Sequence, residues 1–124
     1  MPHATARPAA TAEDDQPPPD IATMRATVRR LLADDAEPPA PDELSTVVLL
    51  LRGHINALVP AVEMAARRLP KDDVPRACAM ACIGEARMRL RMGDGDNGAV
   101  RHAVAVRLAR SVNALADHYD TLSS

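Results

Sequence analysis

The sequence predicts an all-α protein: an antiparallel up-down bundle of four helices, one short and three long, behind a disordered N-terminal tail. Three observations predict it. Apolar residues recur at three-to-four spacing in four separate stretches, the pattern of helices that each bury one face. The chain holds 24 Ala, no Phe, no Trp and a single Tyr, Tyr119, which favours helices in close approach over sheets. Short breaks rich in Pro, Gly and Asp separate the stretches, and short breaks make antiparallel neighbours.

Residues 1–19 carry Pro, Ala, Thr and acid without apolar periodicity. Such a segment buries too little to offset the entropy of ordering, so it reads as a disordered tail ending in a stiff Pro17-Pro18-Pro19. The bundle domain is expected over 20–122. Its first helix starts at the cap Asp20 and runs to about Asp34, with Ile21, Met24, Val28, Leu31 and Leu32 on one stripe. Glu37-Pro38-Pro39-Ala40-Pro41 breaks it.

The second helix is expected from about Asp42 to Leu69. Leu44, Val48, Leu51, Ile55, Leu58, Val62, Ala65 and Leu69 form its stripe, and Val47, Leu50 and Val59 widen it toward burial on more than one side. Pro60 lacks an N–H for the carbonyl of Asn56 and is expected to kink the helix. The third helix begins after Asp72 or Asp73, with Pro75 in its first turn, and runs to Met92. Its apolar face is Ala79, Cys82, Ile83, Ala86 and Leu90, small enough for close contact with the second helix. Gly93 to Gly98 is a turn on composition, and the fourth helix follows from Ala99 to Tyr119 on Val104, Leu108, Val112, Leu115 and Tyr119.

Charge and composition narrow the function. Net charge is −2, but residues 1–43 hold nine acids against four bases and residues 44–124 hold eight against eleven. The net charge argues against direct nucleic-acid binding, the sign split suggests an acidic tail on a mildly basic domain, and the missing aromatics exclude a base-stacking sheet and an aromatic cage. The longest unbroken apolar run, Ala77 to Ile83, is seven residues, and the N-terminus has no signal-peptide core. A soluble, cytoplasmic protein without a membrane span is the expectation, with Cys78 and Cys82 reduced.

No catalytic signature of known spacing occurs, and no cofactor is expected. Asp94-Gly95-Asp96-Asn97-Gly98 fails as a calcium loop, since positions six and twelve from Asp94 are Ala99 and Ala105. Cys78 and Cys82 lie four apart on one helix, and without a second Cys pair they read as small core residues rather than zinc ligands. Three residues are the candidates for acid–base chemistry: His54, Glu85 and His118. His54 sits beside the Ile55 stripe and needs a hydrogen-bond partner, for which Glu85, read as near the core face, is the candidate. His118 ends the last helix between Asp117 and Tyr119, where its simpler role is to meet late carbonyls.

Arg52, Arg87, Arg91 and Tyr119 are the candidate ligand contacts. Arg76, Arg87, Arg89 and Arg91, with Arg101, Arg107 and Arg110, suggest a positive groove for an anionic small molecule or an acidic segment. The simpler reading is a solvated face, and Glu85 paired with Arg52, Arg87 or Arg89 would make an internal ion pair that fixes helix register.

Four stretches resemble a known family: Leu51-Arg52-Gly53-His54-Ile55, Arg68-Leu69-Pro70-Lys71-Asp72, Pro75 through Arg87, and Leu115-Ala116-Asp117-His118-Tyr119. They are similar to a family of small actinomycete proteins of unknown function whose automatic label is natural-product biosynthesis. The resemblance spans about residues 20–122 and is most specific over Pro75–Arg87. It implies an actinomycete cytosol and a setting in secondary metabolism, and it supplies no reaction, fold or catalytic residue.

The expected function is an accessory protein: a helical bundle, as a homodimer or with a protein or peptide partner. The second expectation is a small enzyme with an inter-helix pocket using His54, Glu85 and His118 on a natural-product intermediate. The third is a transcription-linked regulator.

Overall fold

The computed structural model describes residues 17–124, which form four helices and no strand. These are α1 (Ile21–Leu32), α2 (Pro41–Arg67), α3 (Val74–Leu90) and α4 (Gly98–Ser123). The all-α bundle with one short and three long helices is as the sequence predicts. The expected disorder of residues 1–16 lies outside the described residues.

Local chemistry sets the helix starts. The Asp20 carboxylate accepts from the Thr23 amide at 3.1 Å and the Thr23 hydroxyl at 2.7 Å, which caps α1 and holds the Asp20 pKa below its ordinary value. Asp73 caps α3 through the Arg76 amide, and Asn97 caps α4 through the Val100 amide. α2 starts one residue earlier than expected, with Pro41 at its first position and no side-chain cap. Gly95 adopts φ 96°, and a Cβ there would meet Val100 Cγ1 at 2.6 Å, so the turn into α4 requires glycine.

The ends shift by a turn or less. α2 stops at Arg67 and α3 at Leu90, each two residues short of expectation, while α4 continues past Tyr119 to Ser123. The longer α4 has a packing reason: Tyr119 and Leu122 both lie against the core. α2 runs through Pro60 without a break in the helix.

Helix directions follow from cross-links between named residues. Arg25 near the start of α1 meets Asp117 and Asp120 near the end of α4, so these two are antiparallel. Arg52 in α2 reaches the carbonyls of Leu90 and Met92 at the end of α3, so α2 and α3 are antiparallel. Arg101 and Ser45, near the starts of α4 and α2, are hydrogen-bonded, so α2 and α4 run parallel. That is an up-down-up-down order. α2 and α4 share the most extensive contact, α3 packs on both, and α1 lies mainly on α4; α1 and α3 do not touch.

The core is therefore a seam between α2 and α4. Val47, Leu51, Ile55, Leu58 and Val62 face Ala105, Leu108, Ala109, Val112, Leu115 and Ala116, all fully buried. Alternating Ala with Leu and Val on α4 lets large side chains of α2 seat beside small ones. Ala79, Ile83 and Ala86 close it from α3, and Met24 and Val28 from α1. Leu108→Ala is expected to destabilise the fold by about 2–5 kcal/mol, whereas Leu49→Ala, at a side chain 72% exposed, should change it by less than about 0.5 kcal/mol; urea unfolding of both variants checks the contrast.

Candidate functional site

The arginines are committed first. Arg52 donates to the carbonyls of Leu90 (3.0 Å) and Met92 (2.8 Å) and to the Asp94 carboxylate (2.8 Å). It thus satisfies the orphan carbonyls at the end of α3, a capping role in place of the expected ligand contact. Arg76 donates to the Leu69 carbonyl at 2.8 Å, just past the end of α2. Arg89 joins the Arg107 carbonyl, the Ser111 hydroxyl and the Glu85 carboxylate. Arg87 lies 3.8 Å from Glu63, and Arg91 is the exposed C-cap of α3. The expected basic groove is thereby divided, because Arg76 and Arg89 point at backbone rather than at a shared space.

One guanidinium cluster was not anticipated. Arg25 reaches Asp120 at 2.8 Å, Asp117 at 2.9 Å and Asn113 at 3.2 Å, which raises its pKa further. The signal in the sequence is Asn113, Asp117 and Asp120 at i, i+4, i+7, an acceptor stripe along one flank of α4.

His54 is half-buried and its Nε2 lies 3.1 Å from the Thr27 hydroxyl. That hydroxyl also bonds the Thr23 carbonyl at 3.2 Å. With that proton on the carbonyl, the Thr27 oxygen accepts from His54 Nε2. Burial pushes its pKa below 6.5, against the weaker opposing pull of Asp20.

Glu85 corrects the sequence reading. It is exposed and pairs with Arg89 at 3.2 Å one turn on, rather than near the core face or with His54. The core side of α3 is Ala79, Ile83 and Ala86, and a residue two places after Ile83 points about 200° away from it. His54 faces α1, which does not touch α3. His118 is half-exposed two turns after Ser111, on the flank of α4 that meets Arg89 of α3. So His54 and His118 occupy opposite flanks of the bundle, and neither of the two main clefts is lined by His54, Glu85 or His118.

The larger cleft, about 690 Å³, lies at the C-terminal ends of α2 and α4, beside the segment that leads into α1. Tyr119, Pro60, Met64 and Arg68 line it, and Pro17, Pro18 and Pro19 form its rim. Tyr119 thus sits in a wall of the cleft, half-buried against the core. The smaller cleft, about 330 Å³, lies at the opposite end among Pro38, Leu44, Ala99 and His102.

The larger cleft merges with the outer face of α2. Thr46, Leu49, Leu50, Gly53, Asn56, Ala57, Pro60 and Met64 point away from the core, and none is charged. Leu49 is 72% exposed and Leu50 41%. By length and composition α2 is the one described helix apolar enough to cross a membrane, but its inner face forms the core seam with α4. The amphipathic α2 stripe predicted from the sequence is there; the apolar residues outside it are what sequence spacing did not separate.

A family model matches residues 22–124, and that family, DUF6415, is one of unknown function. The chain belongs to the DUF6415 family. No curated protein and no solved structure matches it.

In this DUF6415 chain Cys78 is exposed and Cys82 half-buried, with the Cys82 thiol pushed up by burial and by Glu85. Among the described residues no three His, Cys, Asp or Glu side chains come together as metal ligands.

Arg52→Ala should cost about 1–3 kcal/mol and speed amide hydrogen exchange over Leu90–Asp94, since it strips two carbonyls and a carboxylate of their donor. His54 binds a proton less readily folded than unfolded, so its stabilisation is complete above 6.5 and is lost as pH falls from there through the lower folded value. Melting temperature should therefore drop on mild acidification, and His54→Gln should flatten that part of the profile.

Proposed function

We propose that this protein is an accessory interaction protein that works by non-covalent docking along the outer face of α2. The observation that carries the reading is that face itself. From Thr46 to Met64, about 27 Å at 1.5 Å per residue, its exposed side chains carry no charge, half-buried Glu63 lies at its flank, and Leu49 and Leu50 stand out from it. Exposed apolar surface of that extent on a small bundle marks a binding surface.

The polar inventory supports the same reading. Arg25, Arg52, Arg76 and Arg89 are spent on holding helices together, and His54 and His118 lie on opposite flanks. The resemblance to actinomycete proteins labelled for natural-product biosynthesis favours a cytosolic role in secondary metabolism, beside an enzyme or regulator of that pathway.

The test is capture by the tagged full chain in the producing strain, with a Leu49→Asp/Leu50→Asp variant in parallel. Both side chains are exposed, so the variant keeps the helical fold by circular dichroism. A stoichiometric protein held by the wild type should be lost with the variant, and its purified affinity should fall by at least about tenfold. An unchanged affinity would sink the reading.

A further inference from the structure

The outer face of α2 is complementary to itself. At its N-terminal end it carries Asp42 and Glu43, and at its C-terminal end Arg67 and Arg68, all exposed. Asp42 and Arg68 have no ion partner among the described residues; Glu43 lies 3.9 Å from Arg30 and Arg67 lies 3.3 Å from Glu63. Between these ends the exposed side chains carry no charge, and half-buried Glu63 lies at the flank beside the cleft. A second α2 laid antiparallel would set each acidic end on a basic end, as an isologous two-fold interface requires.

The charges also fix a register. Setting Asp42 opposite Arg68, and Glu43 opposite Arg67, places the two-fold axis at the level of Ile55. Gly53 then meets Ala57 of the second copy, Leu50 meets Pro60, Leu49 meets Ala61, and Thr46 meets Met64. Leu49 and Leu50 thus oppose the smaller Ala61 and Pro60, and the smallest pair lies at the centre. The same half, at Ala57, Pro60 and Ala61, forms the floor of the cleft beside Tyr119, so Leu49 and Leu50 of each copy enter the cleft of the other.

Gly53 leaves the centre of that face bare, as Gly84 does on α3. A Cβ at Gly53 would meet nothing within 4 Å, and the residue lies inside a regular helix. Glycine in a helix interior is destabilising relative to Ala, so the chain's own fold gives no reason for it. Close approach of a second helix at the two-fold axis gives one.

We infer that the occupant of the α2 face is a second copy of this chain, packed antiparallel with Gly53 against Ala57 at its centre. This rests on reading that face as the docking surface and specifies its partner.

Sedimentation velocity of the full chain across a concentration series tests it. The expected result is a reversible dimer. Gly53→Leu should weaken it at least about tenfold while leaving the melting temperature of the monomer unchanged or raised. Asp42→Arg/Glu43→Arg should weaken it, Arg67→Glu/Arg68→Glu should weaken it, and the two pairs combined in one chain should restore it. A strict monomer at every concentration overturns the inference, as does a dimer indifferent to Gly53→Leu and to both charge reversals. Flotation of a monomer with phosphatidylcholine vesicles also overturns it, giving the face to lipid. A strict monomer that still loses a different captured protein on Leu49→Asp/Leu50→Asp defeats this inference and leaves the docking face standing.

Discussion

The parallel seam between α2 and α4 is the contact on which everything else rests. Five fully buried side chains of α2, from Val47 to Val62, meet α4 where Ala105, Ala109 and Ala116 alternate with Leu108, Val112 and Leu115. Without aromatics, such a core gains its contact density from small residues that let the helices close up rather than from large rings that fill a gap. α3 can then lie across both helices with only Ala79, Ile83 and Ala86 fully inside, and α1 needs little more than Met24 and Val28.

The arginines finish what the apolar seam leaves open. A bundle of Ala and Val has smooth faces that could slide, and its helix ends leave carbonyls unpaired. Arg52 and Arg76 take carbonyls at two such ends, Arg89 ties α3 to α4 through Ser111, and Arg25 gathers three acceptors on α4. The planar guanidinium suits this work, because one side chain can serve several acceptors held at fixed angles. The single Lys71, a point charge on the turn between α2 and α3, has no such role.

Function is then a matter of what remains uncommitted. The charged groups that the sequence made conspicuous are drawn into the scaffold: Arg52 into a cap, Glu85 into a surface pair, His54 onto Thr27. What stays free on α2 is largely apolar, a length of helix with Leu49 and Leu50 outside and a cleft toward its C-terminal end. Membership of the DUF6415 family fixes the lineage and leaves the role to be read from that surface.

The sequence by itself determined the helices, their order and most of their limits. Three-to-four spacing, Asp20 as a cap, the Asp72-Asp73 start and the Pro and Gly breaks are local signals, and a helix is a local structure, whereas Asn97 emerges as a cap only in the structure. Core positions on α2 and α4 were legible for the same reason. Only the tertiary structure decided which polar groups meet. Glu85 looked near the core because Cys82, Ile83 and Ala86 surround it in sequence, but the rotation of α3 against its neighbours turns it outward. His54 finds Thr27 because α1 crosses it 27 residues away in sequence, and no periodicity within either helix encodes that crossing. The wide apolar stripe of α2 carried the same ambiguity: spacing marked Leu50 as apolar, but only the placement of three neighbours on one side showed that Leu49 and Leu50 face out.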